Sequence, residues 1–165
     1  MLENLLNLII LIIPAYVANA SPVILGGGQP MDFGAKFYDK KRILGDGKTW
    51  RGFFGGVASG TLAGVLLSLV FPWLTFEASF LLSVGALVGD SCGSFVKRRM
   101  GTEQGKPSFA LDQLTFLFFA LAFAFPFISI PIDIYSFVFL VILTYCLHLV
   151  ANIFAHKMGW KKVPW

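Results

Sequence analysis

The sequence predicts an all-α integral membrane protein with five transmembrane helices, the N-terminus outside and the C-terminus cytoplasmic. Three observations lead there. The chain has 165 residues, of which 56% are hydrophobic and 13% charged, whereas a soluble domain carries roughly 25% charged residues. Apolar runs at about 4–25, 52–72, 76–96, 110–128 and 134–156 each approach the roughly 20 residues that a bilayer core requires. All thirteen Lys and Arg residues fall into alternate connections between those runs.

The first run ends in Ala18-Asn19-Ala20, which looks like a signal-peptidase site. It has no basic leader and carries Glu3, so it reads as a first transmembrane helix, bent at Pro14. The next connection holds Lys36, Lys40, Lys41, Arg42, Lys48 and Arg51. Helices 2 and 3 follow, each with glycines every four residues: Gly52, Gly56, Gly60 and Gly64, then Gly85, Gly89 and Gly93. That spacing lines one helix face and lets backbones approach closely. Close packing between helices is the plainer use of it, and a homodimer interface the other. Helices 3 and 4 are joined by a loop with Lys97, Arg98, Arg99 and Lys106, and Pro126 ends or kinks helix 4. After helix 5 the tail holds Lys157, Lys161 and Lys162. The positive-inside rule then puts both basic loops and the tail in the cytoplasm. The outer loops, near 71–77 and 129–133, are short and carry no evident chemistry.

Composition also excludes some classes. Cys92 and Cys146 both lie in apolar segments and imply no disulfide framework, and the two histidines do not cluster with them to make a zinc site. No nucleic-acid partner is expected.

Two acids lie inside apolar stretches, Asp90 and Asp112, each eleven residues from Gly101. An acid there is costly and marks a functional site by default. The symmetry of the hairpin sets both at similar depth, one to two turns from the cytoplasmic surface. Ser94 and Lys97 follow Asp90 at i+4 and i+7 on the same face. Two nearby carboxylates repel unless a cation or proton intervenes. Hard oxygen donors suit Mg²⁺, which uses one or two carboxylates plus phosphate oxygens, and Lys97, Arg98, Arg99 and Lys106 suit the phosphate. The competing readings are a proton- or cation-relay transporter, and a basic loop that is only the positive-inside flank.

A second phosphate signal lies at Gly45-Asp46-Gly47-Lys48-Thr49-Trp50-Arg51-Gly52. It is not a P-loop, because the glycine required five residues before Gly47 is Arg42 and no strand precedes it. Gly45 and Gly47 can still form a backbone anion nest, with Lys48, Arg51 and the Thr49 hydroxyl beside a helix N-terminus. A helix-capping turn is the competing reading. Asn19 and Ser21 sit where they can cap helix 1 or line the same crevice; taken alone, capping fits better. His148, Asn152 and His156 share a face of helix 5 and read as core groups.

Gly89-Asp90, Ser94 and Lys97-Arg98, followed by Leu111-Asp112-Gln113, resemble the signature of the membrane CTP-transferase family, whose bacterial members are phosphatidate cytidylyltransferases. Asn19-Ala20-Ser21-Pro22, Met31-Asp32-Phe33-Gly34 and the string from Arg42 to Gly52 resemble its small archaeal branch, the CDP-archaeol synthases. The resemblance covers nearly the whole chain. It implies a single transmembrane catalytic domain over 1–165, at the cytoplasmic face of the cell membrane. The implied reaction transfers CMP from CTP to an isoprenoid ether-lipid phosphate. Asp90, Asp112 and Lys97 are the implied catalytic residues, with Mg²⁺ on the two acids. Asn19, Ser21, Lys48, Thr49, Arg51, Ser94, Arg98 and Lys106 are the implied substrate contacts. Thr115 stands where the family usually has another acid, and a hydroxyl is the poorer ligand. One or two ions are therefore implied, the second weakened. A CTP-dependent polyprenol kinase is the near alternative.

Overall fold

The computed structural model describes residues 2–102 and 111–159, the side chains of Leu2, Asp112, Gln113, His148 and Ala155 excepted. The described residues form helices and no strands. They are α1 (Leu2–Ala20), a one-turn α2 (Pro22–Leu25), α3 (Trp50–Ser68), α4 (Phe76–Arg99), α5 (Leu111–Ala124) and α6 (Ile134–Lys157). A 3₁₀ turn at Phe125–Phe127 closes α5. Five long helices thus occupy the five apolar runs. Among the described residues three are long and apolar enough to cross a membrane: Glu3–Leu25, Phe76–Arg99 and Ile134–Phe154.

Local chemistry sets the helix ends. Thr49, Thr75 and Asp133 are N-caps, their side-chain oxygens accepting from the N–H groups of Gly52, Ala78 and Ser136 at 3.1, 3.2 and 2.7 Å. Each satisfies a donor that the first helical turn leaves open. At Asp133 these N–H bonds hold the carboxyl below its ordinary pKa. Helix α4 opens with Glu77 and closes with Lys97, Arg98 and Arg99, the charge order its dipole favours. The first run breaks at Ser21, where Pro22 starts the separate α2 turn. Pro126 likewise converts the end of α5 to a 3₁₀ turn. By contrast α1 passes through Pro14 as one helix.

Helix α4 is the hub, packed on α1, α3 and α5. Leu8, Leu11, Ile12 and Ala15 of α1 meet Ala78, Leu82 and Ala86 of α4, with Phe116, Leu117 and Ala120 of α5, in one buried cluster. The glycine stripes make this closeness possible. A Cβ on Gly60 would lie 2.5 Å from both the Pro14 carbonyl oxygen and Ser83 Oγ. One on Gly89 would meet the Thr115 carbonyl and come within 2.7 Å of Phe116 Cα. Both stripes are therefore used within the chain, α3 against α1 and α4, and α4 against α5. Helix α6 is fastened by Tyr16 Oη and Thr144 Oγ1, 2.7 Å apart. Its other side exposes Val138, Ile142, Val150 and Phe154, an apolar face suited to lipid.

Candidate active site where the basic loop meets α4

The connection 26–49 has no regular structure, and its shape comes from one carboxylate. Asp32 is buried, and Arg42 reaches it with Nη2 at 2.7 Å from Oδ1 and Nε at 3.2 Å from Oδ2. The N–H groups of Leu44 and Gly45 each donate to Oδ2 at 3.0 Å, and that of Gly34 to Oδ1 at 3.1 Å. Arg42 holds the Asp32 carboxyl far below the usual range; burial opposes this, and the three backbone donors add to it. The guanidinium, also bonded to Asp46 at 2.7 Å, is raised in turn by both acids. Gly45 has φ of 97°, where a side chain would be strained. An anion nest therefore exists at Leu44–Gly45, but the anion it holds is Asp32. For Gly45, that corrects the reading of its amide as part of a phosphate cradle.

With Gly45 fixed, the turn closed by Lys48 N–H on the Gly45 carbonyl (3.2 Å) carries Lys48 toward the helices. Its ammonium donates to Asp90 Oδ2 of α4. The pair lines a shallow open crevice, together with Pro22, Met31, Gly47, Thr49, Phe53 and Ser91. The Lys48 ammonium already holds Asp90, so a phosphate that reaches it competes with that carboxylate.

The two intramembrane acids do not lie level. Gly89 faces Thr115 and Phe116, and Gly93 faces Leu111 and Thr115. This register sets the Asp112 backbone level with about Gly93, two to three residues and about 4 Å nearer the loop than Asp90. The Asp112 side chain and Lys106 lie outside the described residues. Thr115 is turned into the α4–α5 seam, its hydroxyl donating to the Leu111 carbonyl at 2.5 Å. The seam, where Gly93 leaves it room, explains a small hydroxyl at this position.

Of the other expected residues, Thr49 lines the crevice as the N-cap of α3, its oxygen already accepting from Gly52. The capping reading is therefore the one realised there, and the hydroxyl keeps its proton and one lone pair for another partner. Ser94 is buried just beyond the lining, and Ser91 stands at the crevice instead. Ser21 donates to the Val17 carbonyl at 2.7 Å beside Pro22. Asn19, Lys97 and Arg98 are half-buried and Arg51 exposed, none of them lining the crevice. No cluster of three or more metal-ligating side chains occurs among the described residues. Asp32 and Arg42 were given no role by the sequence reading, and Arg99 was read only as charge suited to a phosphate. The signal available for Asp32 was its place in the Met31-Asp32-Phe33-Gly34 string that resembles the archaeal branch.

A family model described as CarS-like, CDP-archaeol synthase, matches residues 1–165. The chain is 52% identical to the CDP-archaeol synthase of Pyrococcus horikoshii over 99% of both chains. It is 56% identical to that of Thermococcus gammatolerans, covering 93% of this chain and 92% of that one. A solved structure of an intramembrane enzyme for archaeal membrane lipids biosynthesis superposes with a TM-score of 0.83. That protein is 44% identical, with 90% of this chain and 94% of the other covered. A full-length family match, relatives above half identity and a shared fold lead to one conclusion: this chain belongs to the CDP-archaeol synthase family.

Proposed function

We propose that the protein transfers CMP from CTP to the phosphate of an archaeal isoprenoid ether lipid, digeranylgeranylglyceryl phosphate, and releases pyrophosphate. The observation that carries this reading is the meeting of Lys48, from the basic loop, with Asp90, inside the bundle, at one crevice. Membership of the family supports the substrates. The reaction needs no general base, because the lipid phosphate is already an anionic nucleophile. Its oxygen attacks the α-phosphorus of CTP, the bond to the β-phosphate oxygen breaks, and both electrons leave with pyrophosphate. The obstacle is repulsion between two phosphates, so catalysis is mostly positioning and electrostatics.

The donor set fits a hard cation. Asp90 offers its carboxylate at the crevice, and its counter-charge there is already a cation, the Lys48 ammonium. Asp90 and Asp112 would hold Mg²⁺, one or two ions, which when bound neutralises phosphate charge and polarises phosphorus. Lys48 can exchange Asp90 for a phosphate oxygen without leaving the crevice. Lys97, Arg51, Arg98 and Lys106 are the basic residues this reading assigns to the charge of the β- and γ-phosphates. Thr49 adds a hydroxyl at the crevice lining, and Asn19, Ser21 and Ser94 are the further polar residues this reading assigns to substrate.

The lipid side is apolar. Trp50 stacks on Phe54 at 5.7 Å, Phe33 lies 6.4 Å from Trp50, and all three are exposed. This lip adjoins Pro22 and Phe53 of the crevice. Isoprenoid chains can lie along it in the bilayer while their phosphate reaches Lys48. The site then belongs at the cytoplasmic face of a five-span protein, as the one-sided distribution of thirteen basic residues supports.

Asp90→Asn and Asp112→Asn are each expected to lower cytidylyl transfer by about 1,000-fold, with yield and gel-filtration profile unchanged. Normal transfer by either purified variant would remove the acids from the mechanism.

A further inference from the structure

We infer that Arg99 is a positioning residue, a strap at the end of α4 that holds the basic loop so that Lys48 meets its phosphate; this rests on the reading above. Arg99 closes α4, nine residues and about 13 Å beyond Asp90. It does not spend its charge on the crevice. Nη1 bonds the Asp39 carboxylate at 2.8 Å, and Nη2 donates to the Arg42 carbonyl at 2.5 Å and more weakly to that of Lys41 at 3.4 Å. Its guanidinium carbon lies over the rings of Phe37 and Phe95, at 4.9 and 5.0 Å. Those rings meet edge to face at 5.5 Å, one from the loop and one from α4. One side chain thus joins a carboxylate, two carbonyls and two aromatic faces, which only the planar fork of arginine can do.

The contacts continue inward without a gap. Arg42, whose carbonyl Arg99 holds, grips Asp32 and Asp46 with its side chain. Asp32 fixes the N–H groups of Leu44 and Gly45, and the Gly45 carbonyl closes the turn onto Lys48. Lys48 then returns to α4 at Asp90. The loop is therefore fastened to one rigid helix at two points. The Asp90 fastening is the one that must open when a nucleotide enters. Arg99 is the one that stays, so the loop keeps its place while Lys48 changes partner.

Two measurements on the full-length protein in detergent test this. Hydrogen exchange over residues 33–45 needs no nucleotide. Arg99→Gln is expected to speed exchange there and leave the core of α4 unchanged; unaltered exchange would overturn the strap. Steady-state kinetics then separate positioning from mere stability. The KM for CTP is expected to rise about tenfold or more in Arg99→Gln, with kcat falling less than threefold and the lipid KM unchanged. Asp39→Asn is expected to show a smaller rise in the same constant, and Arg99→Lys to restore little of it. A lower kcat with unchanged KM, or full rescue by lysine, would overturn the positioning role. Lys48→Ala in the same assay distinguishes the two levels: a normal KM for CTP there would defeat the underlying reading, whatever Arg99 does.

Discussion

Asp32 shows how one side chain can organise a site it does not enter. It accepts from Arg42 and from three backbone N–H groups, so its ionised form belongs to the folded loop. Its pKa is lowered on folding. The stability it contributes is fully present above the ordinary carboxylate value of about 3.9 and is lost as pH falls toward the lower folded value. Protection of the Gly45 amide, corrected for intrinsic exchange, is expected to be flat from neutral pH to about 5 and to fall below about 4. In Asp32→Asn the amide should lose about 2 kcal/mol of protection at neutral pH, and the acid-dependent part should vanish. A variant with wild-type protection would show that the carboxylate does not hold the loop. The sequence made Asp90 legible because a charge in an apolar run is expensive, and Lys48 because glycines flank it. Their pairing was not legible, since it depends on how residues 42 apart are folded together. Asp32 escaped for the opposite reason: an acid in a basic loop reads as surface charge until its burial is seen.

At the scale of elements, the five apolar runs became five helices within a few residues, because hydrophobic length and proline positions are local properties. Pro22 and Pro126 ended their helices as local chemistry requires. The glycine spacing predicted close packing but not which helices would meet. That choice is sharp, and it separates glycines of equal propensity. A Cβ at Gly89 would strike the backbone of α5, whereas one at Gly55 would meet only the Leu25 side chain, at 3.2 Å, which can move. Gly89→Ala is therefore expected to cost about 2 kcal/mol, a fall in Tm of about 5 °C in detergent. Gly55→Ala is expected to change Tm by about 1 °C or less. Equal effects would mean that the α4–α5 seam is not closed as described. The 26–49 connection was the least legible element. Its order comes from side-chain to backbone bonds spanning up to thirteen residues, and neither propensity nor periodicity records these.

For the whole molecule, composition gave the membrane class and the distribution of basic residues gave a site at one end. Motif resemblance named the family that the comparisons bear out. The molecule solves one physical problem, bringing a triphosphate from water to a phosphate anchored in lipid. In the proposed arrangement α4 carries the acid, the loop strapped to it carries the cation, and the aromatic lip would face the bilayer. The central claim is that the α-phosphate of CTP ends up on the lipid. The direct test incubates the purified protein with Mg²⁺, digeranylgeranylglyceryl phosphate and CTP labelled at either the α- or the γ-phosphorus. Label from the α-position is expected in the lipid fraction and label from the γ-position in pyrophosphate. Transfer of the γ-label to lipid, as a kinase would give, or no labelled lipid from either CTP, would contradict it.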